Sequence, residues 1–197
     1  MRAPFDAVVI GASWGALTAL RTILGGLPRD FNPAVIIVPH RGRDQQHLLP
    51  HLLRDVSPLP LSEIEDKDPV EAGHVYLAPA DYHVLVDADR TFELSVDEPV
   101  RYSRPSIDVA FHAVADVYRD RSIGVVLTGA NEDGARGLRR IVDRGGHAIV
   151  QDPSTAEVSV MPAAAIRAVP DATVLPLNDI APHLVTLMRP LPTEIVR

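Results

Sequence analysis

Solid apolar runs alternate with helically spaced leucines along this chain. Ala7 to Ile10 is an unbroken apolar run ending in Gly11. Leu17, Leu20, Leu24 and Leu27 then recur at helical spacing, which predicts a strand followed by a helix over about 15–27 with those leucines buried. Pro28 and Pro33 bracket a loop. Ala34 to Val38 reads as a strand buried on both faces and ends at Pro39-His40. A second helix is predicted over 43–55, and Leu59 to Ile64 and His74 to Leu77 are candidate strands. Val84 to Val86 and Phe92 to Val96 flank Asp87-Ala88-Asp89-Arg90, a hairpin in which Asp87 and Asp89 are turn residues. Ser106 can cap a helix to about Tyr118 whose stripe is Ile107, Phe111, Val114 and Tyr118. Ile123 to Leu127 is the next buried strand and ends in Thr128-Gly129. The following helix carries Ala135, Leu138, Ile141 and Val142 inward. A strand at Ala148 to Val150, a short Ala-rich helix starting near Pro162 and a last strand at Val174-Leu175 come next. Asn178 or Asp179 can cap a final helix with Ile180, Leu184, Leu187 and Met188 as its apolar face.

Strand and helix patterns in this alternation predict an α/β fold: a doubly wound, mainly parallel sheet in a Rossmann-like three-layer arrangement, with a β-hairpin near the middle of the chain. No repeat, low-complexity tract or long linker interrupts it. Residues 1–197 are expected to form a single domain, with its core at about 6–190 and a short tail at 191–197. Three loops then share one address. Gly11 to Gly15, Pro39 to Gly42 and Thr128 to Gly134 each follow the carboxyl end of a predicted parallel strand, the edge at which open α/β sheets bind ligands.

The chemistry of those loops is specific in type. Residues 11–15 read G-x-S-x-G at a strand-to-helix turn, the pattern that exposes a nucleophilic serine, here Ser13. The glycines permit a sharp turn, and the N–H groups of the next helix favour an oxyanion. Serine is also a preferred helix cap, so the pentapeptide alone decides nothing. Of eight histidines, His40 is placed best to serve as base, because it ends the second strand as Ser13 ends the first. Asp133 could hold the imidazole, or could merely cap the helix after Gly134. The chain order Ser, His, Asp differs from the Ser, acid, His order of ordinary α/β-hydrolases, which argues against a lipase-type enzyme.

Composition narrows the classes further. The chain of 197 residues is 46% hydrophobic and 23% charged, enough for a sizeable core without staples. It has no cysteine, which excludes thiol catalysis, disulfides and thiolate metal sites and fits a reducing compartment. A net charge of −7 argues against nucleic acid or an anionic membrane surface as partner. No apolar run is long enough for a signal peptide or a membrane span, so a cytoplasmic location is expected. His47 and His51 stand i, i+4, but Leu48 replaces the glutamate of H-E-x-x-H, and no other ligand spacing suggests a metal; neither metal nor organic cofactor is expected. Ser13 stands where a dinucleotide loop needs its second glycine, and the second strand ends in Pro-His rather than an acid, which weakens a nucleotide-binding reading.

Five ordered segments bring a family into view. IGASWGALTALRTIL, IIVPH, SRPSIDVAFHAVA, GVVLTGANEDGARGL and QDPSTAEVSVMPAAAI are similar, in order and spacing over roughly 6–190, to segments of the CheB-type receptor methylesterases of bacterial chemotaxis. The resemblance implies Ser13 as nucleophile, His40 as general base and acid, Asp133 as its orienter, and backbone N–H groups of Trp14 and Ala130 as oxyanion hole. It implies glutamyl methyl esters on a chemoreceptor-like signalling protein as substrate, and glutamine deamidation as an activity of related members. Alanine at any of the three triad positions is then expected to abolish activity and leave the fold intact.

The chain also departs from the family pattern. Trp14-Gly15-Ala16 stands where the family usually has Thr-Gly-Gly. Ala130-Asn131 replaces Met-Gly, Pro39 replaces a glutamine, and Val160 replaces a glycine. The Trp14 ring is expected at the cleft mouth, with core packing as its alternative; the tolerance of asparagine for left-handed backbone would let the 130–131 loop survive. If Trp14 plugs the site, the protein becomes a catalytically weak binding or scaffold module. Members with an N-terminal receiver domain are blocked until that domain is phosphorylated. With the first strand entered by about Ala7, the expectation is a constitutively open site or one governed by a separate regulatory partner. Arg41, Arg43 and Asp44 read as a solvated loop, with an arginine available to meet an acidic partner.

Overall fold

The computed structural model describes residues 4–40 and 48–188. Seven strands form one sheet in the order β3 (Leu61–Glu63), β4 (Val75–Leu77), β2 (Ala34–Pro39), β1 (Ala7–Ala12), β7 (Ser122–Val126), β8 (His147–Gln151) and β9 (Thr173–Leu175). Every pairing in it is parallel. The antiparallel hairpin β5 (His83–Val86) and β6 (Phe92–Ser95) stands apart from it.

Each residue of β1, β2 and β7 is buried, because both faces of the sheet are covered. Alternation along the pleat divides their side chains. Val9, Ile36 and Val126 face a core closed by α3 (Ile107–Tyr118), α4 (Ala135–Asp143), α5 (Val160–Ala168) and the hairpin. Val8, Ile10, Ile37 and Val125 face a second core closed by α1 (Ala16–Gly25), α2 (Leu48–Arg54) and α6 (Leu177–Leu187). The doubly wound three-layer expectation holds, hairpin included, and the hairpin lies on α3.

Several local expectations shift. Helix α1 starts at Ala16, and Leu17 is 37% exposed rather than buried. Its first turn stands at the carboxyl edge of the sheet, where there is no longer a strand beneath it. Helix α2 begins at Leu48 among the described residues; its predicted start at 43–47, with His47, Arg41, Arg43 and Asp44, lies outside them. The cap of α6 is Pro176, not Asn178 or Asp179, and the Leu177 N–H reaches Thr155 Oγ1 at 3.3 Å. Asp179 instead lies in the first turn, where a negative charge suits the helix dipole. Asp89 accepts from the Thr91 N–H and hydroxyl inside the turn, as expected, whereas Asp87 also pairs with Lys67 at 3.5 Å. Among the described residues no helix is long and apolar enough to cross a membrane.

Candidate active site

Strands β2, β1 and β7 are neighbours, and their register brings their carboxyl ends level: Ala12 lies opposite Pro39 and Gly11 opposite Val126. Backbone pairing then runs past the strands. The His40 N–H donates to Ala12 O at 2.9 Å and the Ser13 N–H to Thr128 O at 3.0 Å. Ser13, His40 and the loop to Asp133 are thus stitched side by side before any side chain is considered.

His40 Nε2 lies 2.7 Å from Asp133 Oδ2, and the Asp133 side chain is fully buried. The backbone N–H groups of Ile107 (2.7 Å), Asp108 (3.0 Å) and Gly134 (3.1 Å) and the Ser106 hydroxyl (3.0 Å) also donate to this carboxylate. Burial pushes its pKa up, but the His40 hydrogen bond, the Asp108 and Ile107 N–H groups and the His40 charge outweigh burial and hold it below the usual value. Asp133 is therefore an anion at neutral pH, and it sits at the amino end of α3 rather than capping α4, whose cap is Gly134. A second buried carboxylate, Asp108, accepts from the Gly134 and Gly137 N–H groups at 2.9 and 2.8 Å. Its pKa is raised, first by burial and then, against the Gly137 bond, by the Asp133 charge.

Sequence reasoning missed this supporting layer. Ser106 does cap α3, accepting from the Val109 N–H, yet its hydroxyl proton goes to Asp133. Buried His83 on β5 accepts the Ser106 N–H on Nδ1 at 3.2 Å and bonds Glu98 O through Nε2 at 3.2 Å. Ser106, His83 and Asp108 are no second triad, because the His83 ring meets the backbone of Ser106 and not its hydroxyl. The hairpin instead holds the end of α3, and that end holds Asp133. Ser106 and Asp108 look like ordinary first-turn helix residues in sequence, so only their burial marks them.

The remaining parts surround the imidazole. Asn131 Nδ2 lies 3.3 Å from His40 Nδ1, and Asn131 Oδ1 accepts the Asp133 N–H at 3.0 Å. Asn131 does not adopt left-handed backbone, so its tolerance for that geometry is not why the loop survives. Its side chain closes a local turn instead. Among the described residues the Ser13 hydroxyl and the Trp14 and Ala130 N–H groups carry no hydrogen bond. A cavity of about 430 Å³ opens beside His40, lined by Asp81, Pro99, Tyr102, Ser103, Arg104 and Pro105. Among the described residues no group of three or more His, Asp or Glu is placed to hold a metal.

The two glycines of the elbow do different things. Gly15 has φ +80°, the left-handed region, and supplies the turn. Gly11 is ordinary strand; it leaves room for Ile107, which a Cβ there would overlap. Trp14 is 64% exposed, which rules out core packing. Its Nε1–H donates to Glu157 Oε1 at 2.9 Å, its carbonyl accepts from Thr128 Oγ1 at 2.9 Å, and its ring is not among the groups lining the cavity. Thr128 is held in turn by Gln151, whose Oε1 accepts the Thr128 N–H at 2.9 Å. We expect Trp14→Thr to fold with stability within roughly 0.5 kcal/mol of the parent, as exposed substitutions do. With the ring outside the cavity lining, its kcat/KM on glutamyl methyl esters should change little, instead of rising as a ring plugging the cleft mouth would require. A denaturant melt and ester kinetics check both, and a fall in activity would mean that the ring holds substrate.

A parallel sheet carrying serine, histidine and a buried aspartate at one carboxyl edge is the arrangement of a serine hydrolase, here on a doubly wound fold. The sequence profile of the CheB methylesterase family matches residues 8–184. A candidate protein-glutamate methylesterase/protein-glutamine glutaminase of Leptospira interrogans is 44% identical over 183 residues, 93% of this chain and 95% of that one. A protein-glutamate methylesterase/protein-glutamine glutaminase of Symbiobacterium thermophilum is 38% identical over 180 residues; the match takes in 91% of this chain and 50% of the relative, so the chain spans about half that protein's length. The crystal structure of the Thermotoga maritima CheB methylesterase catalytic domain superposes with a TM-score of 0.89 at 32% identity, over 93% of this chain and 98% of that one. The chain belongs to the CheB methylesterase family, and its fold is that of the family's catalytic domain.

Proposed function

We propose that this protein hydrolyses glutamyl methyl esters on a methylated chemoreceptor or related signalling protein in the cytoplasm, with Ser13, His40 and Asp133 as its triad. The single observation that carries the reading is the fully buried, ionised Asp133 set 2.7 Å from His40 Nε2. An imidazole anchored on one nitrogen by a carboxylate keeps the other nitrogen for a proton. Ser13 Oγ attacks the ester carbonyl while His40 takes its proton. The free N–H groups of Trp14 and Ala130 bind the oxyanion. The C–O bond then breaks, methanol leaves with the proton from His40, and the acyl group stays on Ser13. Water, deprotonated by His40, releases the glutamate and restores Ser13. The same cycle on a glutamine amide releases ammonia, the second activity in the names of the relatives.

The test is methanol release from a carboxyl-methylated chemoreceptor, paired with organophosphonate labelling. We expect release in step with demethylation, and a covalent adduct on Ser13 alone. Neither release nor labelling would favour a scaffold role in which the fold persists without turnover.

A further inference from the structure

We infer that Asn131 is a positioning residue that sets the proton pattern of His40, selecting the tautomer with its proton on Nε2 and leaving Nδ1 as the accepting nitrogen. The inference rests on His40 being the base of the proposed reaction. It starts from groups whose hydrogen-bonding sense cannot change. A backbone N–H only donates, and that of Asp133 lies 3.0 Å from Asn131 Oδ1. This fixes which end of the Asn131 amide is oxygen. The other end is then NH2, which also only donates, and it faces His40 Nδ1 at 3.3 Å. His40 Nδ1 must therefore accept, so the ring proton is on Nε2. The opposite side gives the same answer independently: Nε2 faces Asp133 Oδ2 at 2.7 Å, and that carboxylate, ringed by N–H donors, needs a donor there.

One amide thus clamps both the acid and the base. The family pattern described above has a glycine at this position, which offers no side-chain amide for such a clamp. The clamp has a chemical consequence. The lone pair that Asn131 occupies at rest is the one that must receive the Ser13 proton. At 3.3 Å the bond is long and readily exchanged for the serine hydroxyl. Among the described residues the other charged or titratable groups facing His40 are Asp133 with Asp108 behind it, and Asp81, Tyr102 and Arg104 across the cavity. All of these remain in place when Asn131 alone is changed.

The experiment is long-range proton–nitrogen NMR of the His40 ring, with kcat/KM measured across pH on the same proteins. In the parent, neutral His40 should show a protonated Nε2 and a bare Nδ1. Asn131→Asp keeps an oxygen for the Asp133 N–H but turns an acceptor on Nδ1. Its imidazolium should persist to a pH higher by about one unit or more. Its kcat/KM at neutral pH should fall about tenfold and return as the pH is raised. Asn131→Ala, which removes both bonds, should move the acid limb the same way by less. A parent ring protonated on Nδ1, or an Asn131→Asp ring that titrates like the parent, overturns the inference. So does a loss of rate that is equal at every pH, since that marks a purely structural residue. The spectra require no turnover. An inactive parent with the expected ring signals would strike the proposed function and leave the tautomer assignment standing.

Discussion

Alanine at Ser13 or His40 is expected to lower kcat on a glutamyl methyl ester by on the order of 10⁴-fold or more, with the fold unchanged. Both side chains stand at the edge of the sheet and hold no part of either core. On the proposed mechanism the two act as one device, so Ser13→Ala/His40→Ala should be little worse than either single change. Asp133 differs, and here the structure corrects the expectation from sequence. Its carboxylate accepts from three backbone N–H groups, the Ser106 hydroxyl and His40. Alanine would strand these donors in the interior at about 1–3 kcal/mol each, so Asp133→Ala should lose several kcal/mol of stability as well as activity. Asp133→Asn keeps the shape and one acceptor. It should fold more stably than the alanine variant, but its NH2 must face either His40 and the Ile107 N–H or the Asp108 and Gly134 N–H groups, and with the negative charge gone it should lose most activity. Circular dichroism melts and single-turnover kinetics on the five variants separate the two losses. Additive effects of Ser13→Ala and His40→Ala, or an active Ser13→Ala, would dismantle the triad.

What could be read from the sequence follows the range of the interactions. The buried runs at Ala7–Ile10, Ala34–Val38 and Ile123–Leu127 announce central strands because each must be apolar on both faces. A parallel sheet built from such units has one ligand-binding edge, so Ser13, His40 and Asp133 could be assigned to it without coordinates. Leu17 misled because periodicity describes a helix and says nothing about where the sheet beneath it ends. Trp14 could not be placed because its partner, Glu157, is 143 residues away and sits in a loop. Ser106 showed its cap and concealed its hydroxyl proton, since N-capping and holding Asp133 make the same demand on sequence. Asn131 could be seen as a departure from the family, but the direction of its amide depends on the Asp133 backbone and the His40 ring together.

A single methyl group at Gly11 is expected to damage stability and catalysis together. A Cβ on Gly11 would overlap Ile107 Cγ2 and stand 3.1 Å from its Cδ1. Ile107 cannot withdraw. It is fully buried, and on its other side a Cβ added at Gly134 would meet the same Cγ2 at 2.7 Å. The isoleucine is a wedge between the elbow that carries Ser13 and the loop that carries Asp133, and its own N–H donates to Asp133 Oδ2 at 2.7 Å. Gly11→Ala must therefore move the end of α3, and the movement reaches His40 through that carboxylate. We expect a loss of about 1–3 kcal/mol from overpacking. We expect kcat/KM to fall by on the order of 10²-fold, the usual consequence of displacing a catalytic group by about 1 Å. Gly25→Ala is the control, because a Cβ there meets only Val56 O at 3.9 Å and should be neutral. Ile107→Ala alone leaves a void costing about 2–5 kcal/mol. In the double variant Gly11→Ala/Ile107→Ala the new methyl enters that void, so the combined loss should be smaller than the sum by about 1 kcal/mol or more. Strict additivity, or a Gly11→Ala protein that melts and turns over like the parent, would show that the elbow and the triad loop do not meet through Ile107.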